Sequence, residues 1–570
     1  MKRHSPLLFL FIILISIQGC TPKSDELHIV TTGDVHGRFL SVDFSSDRPQ
    51  SSLEAVNIYT DSLRRCFGRD NVLLLDAGDI LQGDNMAYYF NYVDTVSEHI
   101  YPRIADYMGY DAVTLGNHDI ETGHPVYDRV TAQLENRGIP TLSGNVVNAS
   151  DGQPYFPYYI MVNKGGHKIA VLGFNNANIK AWLPEHLWSG LDFVDLMQCV
   201  QERVDEVRAT KNPDLLIVVV HSGTGLGDGS MLENQSLDLL HSLKDVDILV
   251  GAHDHRPYTE TYNGCIYIDG GARAQAAGHA TINFKTGSRT VEIARMDRNR
   301  RDVKMEEAFA SEIGKVREFT NAKVGALAME LRSDAALGGM CDYINLLQTV
   351  QLDETGADIS FAAPIGSGRL AQAGEIVVND LFKIYPYENQ LFMLSLTGKE
   401  IKDYLEYSYG DWLAPDCREH LLGIQNKTDE RTGNSRWSLT GRSYNFDSAA
   451  GIIYTVNINK PQGKRIHIQS MADGSTFYPD KCYLVAMTSY RATGGGDLLI
   501  KGAGIPADEL SARVVSRHIE IRELIKRFFS DREVVTPESV YDAKSLGSWK
   551  FIPEAKASEL FEKDRELLDY

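Results

Sequence analysis

Cysteine is scarce in this chain. There are seven cysteines among 570 residues, and no two of them form a C-x-x-C pair. Because structural metal–thiolate sites are built from such closely spaced thiolates, the sequence argues against a site of that kind. Six of the cysteines are scattered between positions 66 and 482, and we expect them to be buried free thiols.

Positive charge is also in short supply. Lysine and arginine total 57 against 77 aspartates and glutamates, which gives a net charge of −20. Proteins that bind nucleic acid polymers need a basic surface, so a nucleic acid polymer is not an expected partner. A small anionic substrate remains compatible with this charge if metal ions or a few arginines supply positive charge locally.

The apolar run at the start of the chain is too short to cross a bilayer. It occupies residues 7–17, whereas a membrane-spanning helix needs about 20 apolar residues. The run follows Lys2 and Arg3 and precedes Gly19 and Cys20, an arrangement that resembles a bacterial lipoprotein signal. We therefore expect a signal peptide over 1–19, a lipid on Cys20 and a polar tether over 20–26.

This interpretation predicts an exported protein, anchored to a membrane by its lipid and located in the periplasm or at the cell surface. An ordinary secretory signal is the alternative, and it also exports the protein.

The motifs of several common enzyme classes are missing. The chain contains no G-x-x-x-x-G-K-[ST] loop and no G-x-S-x-G elbow, which argues against a P-loop enzyme and against that kind of serine hydrolase. The glycine-rich stretch at 223–227 is followed by Asp228, where a dinucleotide-binding loop has glycine.

The length of the chain predicts more than one domain. Residues 27–300 alternate apolar, strand-like runs with helical patterns, which predicts a layered α/β domain. Residues 301–335 are charged and lack proline, which predicts a linker helix. Residues 336–529 predict a second α/β domain, and the polar segment 530–570 a C-terminal appendage.

In the first domain, metal-binding residue types recur where predicted strands end. The segments are GDVHG at 33–37, AGD at 77–79, GNHD at 116–119, HSG at 221–223 and GAHDH at 251–255. In open α/β sheets such turns converge at the carboxyl ends of the strands, where binding sites form. They supply seven oxygen or imidazole donors: Asp34, His36, Asp79, Asn117, His221, His253 and His255.

These donors are numerous enough for two metal ions. Two divalent ions about 3.5–4 Å apart form a clamp for the attacking and leaving oxygens in phosphoryl transfer. Carboxylate, amide and imidazole donors suit Zn²⁺, Mn²⁺, Co²⁺ or Fe²⁺ and do not choose among them. We therefore expect two divalent metal ions as cofactors.

The ordered set of motifs resembles the calcineurin-like metallophosphoesterases and, more narrowly, the 5′-nucleotidase family, over residues 27–529. The resemblance implies a four-layer α/β/β/α metallophosphoesterase domain, a linker helix and a second α/β domain that binds the substrate. It also implies that one metal is held by Asp34, His36, Asp79 and His255. The other would be held by Asp79, Asn117, His221 and His253, with Asp79 bridging the two ions.

The resemblance also implies a catalytic histidine. His118 would stabilise the transition state and protonate the leaving oxygen. Members of the family pair this histidine with an acid three residues further on, which in this chain is Glu121. Asp119 is the nearer carboxylate, but we assign the partner role to Glu121.

In the second domain, the resemblance implies residues that bind the substrate. Tyr387 and Tyr490 stand in motifs whose aromatic residues hold the nucleotide base, and Asp497 would accept a hydrogen bond from the nucleoside. Where the family has G-G-G-I-R, this chain has AAPIGSGR at 362–369. Arg369, displaced by about two positions, would contact phosphate or ribose.

The activity implied by the resemblance is that of an exported dimetal phosphoesterase of the 5′-nucleotidase type. Such an enzyme releases nucleoside and phosphate from a nucleotide. The alternatives within the family are a 2′,3′-cyclic-nucleotide 2′-phosphodiesterase/3′-nucleotidase and a UDP-sugar hydrolase. A more distant alternative is a surface nucleotide-binding protein without catalysis. The sequence does not indicate the oligomeric state.

Overall fold

The computed structural model describes residues 25–44, 49–366, 368–428 and 435–569. The expected signal peptide, Cys20 and most of the tether lie outside these residues. Within the described part of the chain, no helix is long and apolar enough to cross a membrane.

The described residues of the first domain form fourteen strands and eight α-helices. Its strands are β1 Glu26–Thr32, β2 Val72–Asp76, β3 Ala112–Thr114, β4 Thr141–Leu142, β5 Val146–Asn148, β6 Tyr159–Lys164, β7 His167–Phe174, β8 Leu191–Phe193, β9 Leu215–Val220, β10 Ile248–Gly251, β11 Tyr258–Tyr262, β12 Cys265–Asp269, β13 Ala276–Asn283 and β14 Arg289–Arg295. Its helices are α1 Leu53–Phe67, α2 Asn85–Tyr88, α3 Ile100–Met108, α4 Asn117–Glu121, α5 His124–Asn136, α6 Ile179–Trp182, α7 Leu196–Lys211 and α8 Ser236–Ser242.

Two six-stranded sheets pack face to face in this domain. Their strand orders are β14-β13-β1-β2-β3-β4 and β11-β12-β10-β9-β7-β6. Successive side chains of one strand lie in two different hydrophobic cores. Leu73 of β2 packs between the two sheets, whereas Leu74 packs against the outer helices. This period of two is what a strand buried on both faces requires.

Helices cover the outer face of each sheet. Leu53 of α1 and Ile104 of α3 belong to the core outside the first sheet, and Val200 of α7 belongs to the core outside the second. The predicted four-layer α/β/β/α architecture is therefore confirmed.

The rest of the chain forms the second domain and its connection to the first. The helices are α9 Val303–Ala308, α10 Ala310–Thr320, α11 Asp342–Thr355, α12 Val378–Ile384, α13 Gly398–Trp412, α14 Ser489–Ala492, α15 Leu510–Arg513, α16 Ile521–Arg532, α17 Pro537–Val540, α18 Ala543–Leu546 and α19 Glu554–Leu567. The strands are β15 Lys323–Leu327, β16 Leu331–Arg332, β17 Ile359–Ala362, β18 Arg369–Ala371, β19 Gly374–Val377, β20 Gln390–Thr397, β21 Ile424–Thr428, β22 Ser435–Leu439, β23 Ser448–Ala450, β24 Ile452–Asn457, β25 Ile466–Met471, β26 Cys482–Thr488, β27 Val514–Glu520, β28 Val534–Val535 and β29 Gly547–Ile552. Its largest sheet has the order β23-β17-β26-β20-β27, so the predicted second α/β domain is confirmed.

The connection between the domains differs from the predicted single helix over 301–335. The helical part consists of α9 and α10 and ends at Thr320. The following residues form β15, which pairs with β19 and β28 of the second domain. A charged segment without proline is compatible with a helix. Residues of β15 nevertheless form a strand, because their pairing with strands distant in the chain outweighs their local preference.

The segment 530–570 is not a peripheral appendage. Strand β29 pairs in parallel with β24 over six residues, and Trp549 and Phe551 lie in the core of the second domain. The polar composition of this segment reflects the exposed face of α19, whereas its few large apolar residues are buried against the domain.

All six cysteines in the described residues are free. Cys265 and Cys417 are buried as expected, but Cys66 and Cys482 are exposed, which contradicts the expectation for those two.

Candidate active site

Five turns from both sheets of the first domain meet at one end of the sandwich. They follow β1, β2 and β3 in one sheet and β9 and β10 in the other, and neighbouring strands within each set are parallel. Their carboxyl ends therefore share one edge. The turns bring together two groups whose donor atoms lie within 4.8 Å of one another: Asp34, His36 and His255, and Asp79, His221 and His253.

In the first group, two imidazoles and a carboxylate face one another. Nε2 of His36 lies 2.9 Å from Nε2 of His255, and that His255 nitrogen lies 3.7 Å from Oδ1 of Asp34. The other ring nitrogen of His36, Nδ1, is 3.2 Å from the Gln82 carbonyl oxygen. This backbone contact orients the ring so that Nε2 points into the group.

The second group includes the predicted amide ligand Asn117. Nε2 of His221 lies 3.1 Å from Oδ2 of Asp79 and 3.1 Å from Oδ1 of Asn117. Nδ1 of His253 is 2.9 Å from the same amide oxygen. The two groups adjoin, because Nε2 of His221 is 3.9 Å from Oδ1 of Asp34.

The backbone that carries these side chains is strained. Five of the seven predicted ligands have a positive φ. Non-glycine residues rarely adopt this conformation, which costs about 1–3 kcal/mol for each such residue. Glycine is required at Gly116, where a Cβ atom would lie 2.1 Å from Oδ1 of Asp79. The strain is concentrated where the donors must converge. The five ligands are Asp34 (φ 50°), His36 (50°), Asp79 (57°), His253 (89°) and His255 (59°).

The arrangement fits divalent cations. Oδ1 of Asp34 is buried without a hydrogen-bond partner, and Oδ2 of Asp79 is buried with Nε2 of His221 at 3.1 Å. The other oxygen of each carboxylate accepts a hydrogen bond from a backbone N–H group, that of His253 for Asp34 and that of His118 for Asp79, both at 2.8 Å. An unsatisfied buried carboxylate oxygen is costly, and a cation coordinated by these oxygens and imidazole nitrogens removes that cost.

The pKa shifts in the two groups arise from burial and from the charges of neighbouring side chains. Burial raises the pKa of Asp34 to about 7, against the opposing charge of His221. Burial would lower the pKa of His221, but the charges of Asp79 and Asp34 outweigh it and raise that pKa to about 9. The carboxyl of Asp34 and the imidazole of His221 therefore tend to hold their protons. A cation that binds here displaces these protons, because side chains coordinate a metal ion in their deprotonated form.

His118 and Glu121 form a pair at the edge of the metal groups. Nδ1 of His118 is 2.5 Å from Oε2 of Glu121, and the His118 ring centroid lies 5.4 Å from that of His36. Burial would lower the pKa of His118, but the charges of Asp79 and Glu121 raise it to about 10. The imidazole is therefore held in its protonated, acidic form.

Asp119 has a different role from Glu121. Its carboxylate oxygens accept hydrogen bonds from the backbone N–H groups of Asp79, Ile80, Leu81 and Gly116, at 2.8–2.9 Å. It ties the turn after β2 to the turn after β3. Asp119 is thus a structural residue, and Glu121 is the carboxylate that contacts His118.

The second domain faces these groups across a cleft. Tyr387 and Tyr490 are partly exposed, and a third tyrosine, Tyr444, lies between them. Its ring centroid is 6.2 Å from that of Tyr387 and 6.3 Å from that of Tyr490, with both pairs edge to face. Burial raises the pKa of Glu233 in the first domain, and the negative charge of Asp497 in the second domain also raises it. These two residues of different domains therefore lie near each other.

Two of the predicted substrate residues have contacts within their own domain. Asp497 pairs with Lys501 at 2.9 Å. Arg369 is exposed on β18, and its Nε lies 3.9 Å from Oε1 of Glu330.

Two aromatic residues near the site were not found from the sequence. Tyr444 lies in no recognised motif, and only its position between the other two tyrosines indicates a role. Trp182 of α6 stacks on the metal-group residue His253, with ring centroids 5.3 Å apart and an angle of 23°. Neither residue carries a local signal, because each is positioned by the packing of a short helical turn.

Comparisons with known proteins identify relatives of both domains. Residues 27–257 match the family model of calcineurin-like phosphoesterases, and residues 318–501 match that of the 5′-nucleotidase C-terminal domain. A trifunctional nucleotide phosphoesterase protein of Bacillus subtilis is 23% identical over 98% of this chain, and this chain spans 41% of that protein's length.

Two further comparisons cover most of both chains. A 2′,3′-cyclic-nucleotide 2′-phosphodiesterase/3′-nucleotidase of Salmonella typhimurium is 23% identical over 87% of this chain and 85% of its own length. The crystal structure of a putative 5′-nucleotidase from Staphylococcus aureus superimposes with a TM-score of 0.74 at 20% identity, covering 92% of this chain and 99% of that one. This structural likeness supports the two-domain fold.

The fold and the donor set define a calcineurin-like phosphoesterase, a metal-dependent phosphoester hydrolase. With the second domain that follows, the chain has both domains of the 5′-nucleotidase family.

Proposed function

We propose that this protein hydrolyses nucleotide phosphomonoesters to nucleoside and phosphate, as a 5′-nucleotidase. The observation that carries the proposal is the position of His118. His118 lies beside the metal groups of the first domain. It is also close enough to the second domain for its charge to act on Glu388, the residue that follows Tyr387. A phosphate at the metal groups and a base at the tyrosines would belong to one nucleotide.

The seven donors would hold two divalent ions, with Asp34, His36 and His255 in one group and Asp79, Asn117, His221 and His253 in the other. When bound, such ions supply a nucleophilic hydroxide at neutral pH and neutralise charge on the phosphoryl oxygens. We propose that Asp79 would be shared by the two ions, since its Oδ2 lies 3.1 Å from Nε2 of His221 in the second group and its charge acts on His36 in the first.

His118 would act as the general acid. Its Nδ1 is held by Glu121, so Nε2 is the nitrogen that would donate a proton to the leaving oxygen of the nucleoside. Glu121 fixes the tautomer and the ring orientation and favours the imidazolium form.

The second domain would select the nucleoside. We propose that the base stacks on the tyrosine cluster of Tyr387, Tyr444 and Tyr490 and that Asp497 accepts a hydrogen bond from the nucleoside. Asp497 would have to exchange its contact with Lys501 for this. Arg369 would contact phosphate or ribose only after it leaves Glu330.

We also propose export of the protein, with Cys20 carrying a lipid that anchors it to a membrane. The support is the sequence of residues 1–20. Labelling of expressing cells with radioactive palmitate, compared with a Cys20→Ala variant, tests the anchor.

The second candidate activity is that of a 2′,3′-cyclic-nucleotide 2′-phosphodiesterase/3′-nucleotidase. One observation favours it: the relative of that name aligns with most of the chain. Both activities would use the same metal groups and His118.

Turnover assays separate the candidates. The Mn²⁺-loaded protein is incubated with AMP, 3′-AMP, 2′,3′-cyclic AMP or UDP-glucose, and release of phosphate or UMP is measured. Fastest turnover of AMP supports the proposal, and fastest turnover of the cyclic nucleotide and 3′-AMP supports the second candidate. Absence of turnover of all four, with metal content verified by mass spectrometry, would refute both.

A further inference from the structure

A cavity lined by arginines lies beside the first metal group. Its volume is about 310 Å³, and its walls include the guanidinium groups of Arg38, Arg273 and Arg298. Two amide side chains, Gln50 and Gln275, also line it. Nε2 of Gln50 already donates to Leu40, Val42 and Asp84, so the amide of Gln275 is the one that would add hydrogen-bond donors. Asp43 is the one carboxylate among the described residues of its lining.

The positive charge of this cavity is poorly compensated, although the chain as a whole carries a charge of −20. Among the described residues, neither Arg273 nor Arg298 has an ion pair. Arg38 has only a long contact, 3.9 Å from Nε to Oδ2 of Asp84. That Asp84 oxygen already accepts a hydrogen bond from Gln50 at 3.0 Å.

Arg273 connects the cavity to the metal groups. Its backbone N–H donates to the Asp34 carbonyl oxygen at 2.7 Å. Arg273 and Ala274 both have a left-handed backbone, with φ of 57° and 50°. Because such strain persists only where the surrounding structure fixes it, the loop after β12 holds this arginine firmly against the turn that carries Asp34.

The guanidinium of Arg273 also reaches towards the second domain. Burial raises the pKa of Tyr387, and the charge of Arg273 opposes that rise, so the two side chains lie near each other across the cleft. Burial and the like charge of Arg38 lower the pKa of Arg273. An anion between the two guanidinium groups would relieve their repulsion.

We propose that Arg273 and Arg298, with Arg38, form a second anion subsite that binds a phosphate group of the substrate other than the one being hydrolysed. Paired guanidinium groups suit phosphate because each presents a planar fork of N–H donors. This inference rests on the proposed nucleotide phosphohydrolase function and extends its substrate class to nucleotides with a further phosphate, such as nucleoside diphosphates and bisphosphates.

Binding of two phosphonates tests the subsite without requiring turnover. Calorimetry on the Mn²⁺-loaded protein compares methylenediphosphonate, which has two anionic groups, with methylphosphonate, which has one. In the double variant Arg273→Gln/Arg298→Gln, we expect the affinity for the diphosphonate to fall about tenfold or more, because the charge-assisted hydrogen bonds to its second phosphonate group are lost. The affinity for methylphosphonate, which lacks that group, should change less than about twofold. Arg273→Lys should retain part of the affinity, since it keeps the charge but loses the fork.

The matched control is Arg65→Gln, which removes the same charge from an exposed position in the last turn of α1. It should leave both affinities unchanged. The proposal is overturned if the double variant keeps its preference for the diphosphonate while its melting temperature is normal, or if Arg65→Gln weakens diphosphonate binding equally. Failure to hydrolyse any nucleotide, with the phosphonate preference intact, would refute the proposed function and leave the anion subsite standing.

Discussion

Nδ1 of His118 lies 2.5 Å from Oε2 of Glu121, its neighbour one turn later in helix α4. The intervening carboxylate, Asp119, turns into the protein and accepts backbone hydrogen bonds from the adjacent turn. Two acids two positions apart in a short helix thus have separate roles: Glu121 contacts the proposed catalytic imidazole, and Asp119 holds the backbone of the neighbouring turn.

Replacing Glu121 by glutamine should slow catalysis without preventing metal binding. Glutamine removes the charge that favours imidazolium, so we expect kcat to fall by about 10- to 100-fold, less than the 10²–10⁴-fold that a general acid contributes. Steady-state kinetics and metal analysis measure the two effects. Because Glu121 acts through His118, the double variant Glu121→Gln/His118→Ala should be no slower than His118→Ala alone. A double variant slowed by the product of the two single effects would contradict this coupling.

Removal of the metal ions should destabilise the first domain. Oδ1 of Asp34 would then remain buried without a hydrogen-bond partner. A cation at about 100 times its Kd stabilises the folded state by about 2.7 kcal/mol, so treatment with a chelator should lower the melting temperature measurably by calorimetry. An Asp79→Asn variant serves as the control, because its weakened site leaves little bound metal to remove. A wild-type melting temperature that is the same with and without chelator would count against the metal site.

Replacing Tyr444 by leucine should weaken nucleotide binding. Stacking of a base on an aromatic ring is worth about 1–3 kcal/mol, so we expect KM for AMP to rise about tenfold while kcat stays nearly constant. Ribose 5-phosphate has no base, and its KM should not change. Tyr478→Leu is the matched control, since Tyr478 is 57% exposed and lies outside the tyrosine cluster. An equal rise of KM for both substrates would mean that Tyr444 does not contact the base.

The stability of the chain should depend on pH through Glu54. This buried residue of α1 accepts backbone hydrogen bonds from Ser41 at 2.7 Å and from Asp302 at 2.8 Å. Burial raises its pKa to about 7, although these hydrogen bonds oppose the shift. Between pH of about 4.5 and 7, Glu54 therefore keeps its proton in the folded state but loses it in the unfolded state. Because the folded state binds more protons in this range, the free energy of unfolding should fall as the pH rises through it.

The variant Glu54→Gln should flatten that slope. A shift of this size corresponds to about 3 kcal/mol, because each pKa unit is worth about 1.4 kcal/mol. Melting temperatures between pH 5 and pH 8 give the slope, and Glu135→Gln, at an exposed position of α5, should leave it unchanged. If Glu54→Gln has the same slope as the wild type, another group is responsible for the pH dependence.

The positions of the metal-binding turns were predictable from the sequence. A run such as Val218 to Val220 followed by His221 identifies both the strand and the donor at its end. Parallel strands bring such ends to one edge of a sheet, so the local pattern is sufficient for the convergence. The paths of β15 and β29 were not predictable, because each pairs with a strand distant in the chain and its own composition does not reveal the partner.

The sequence by itself determined which donors the site contains, because residue type and position at a strand end are local properties. Only the tertiary structure decided which carboxylate oxygens remain without partners, which acid pairs with His118 and that Tyr444 stands between Tyr387 and Tyr490. These outcomes depend on the directions of side chains brought together from distant segments, and such directions follow from packing rather than from spacing along the chain.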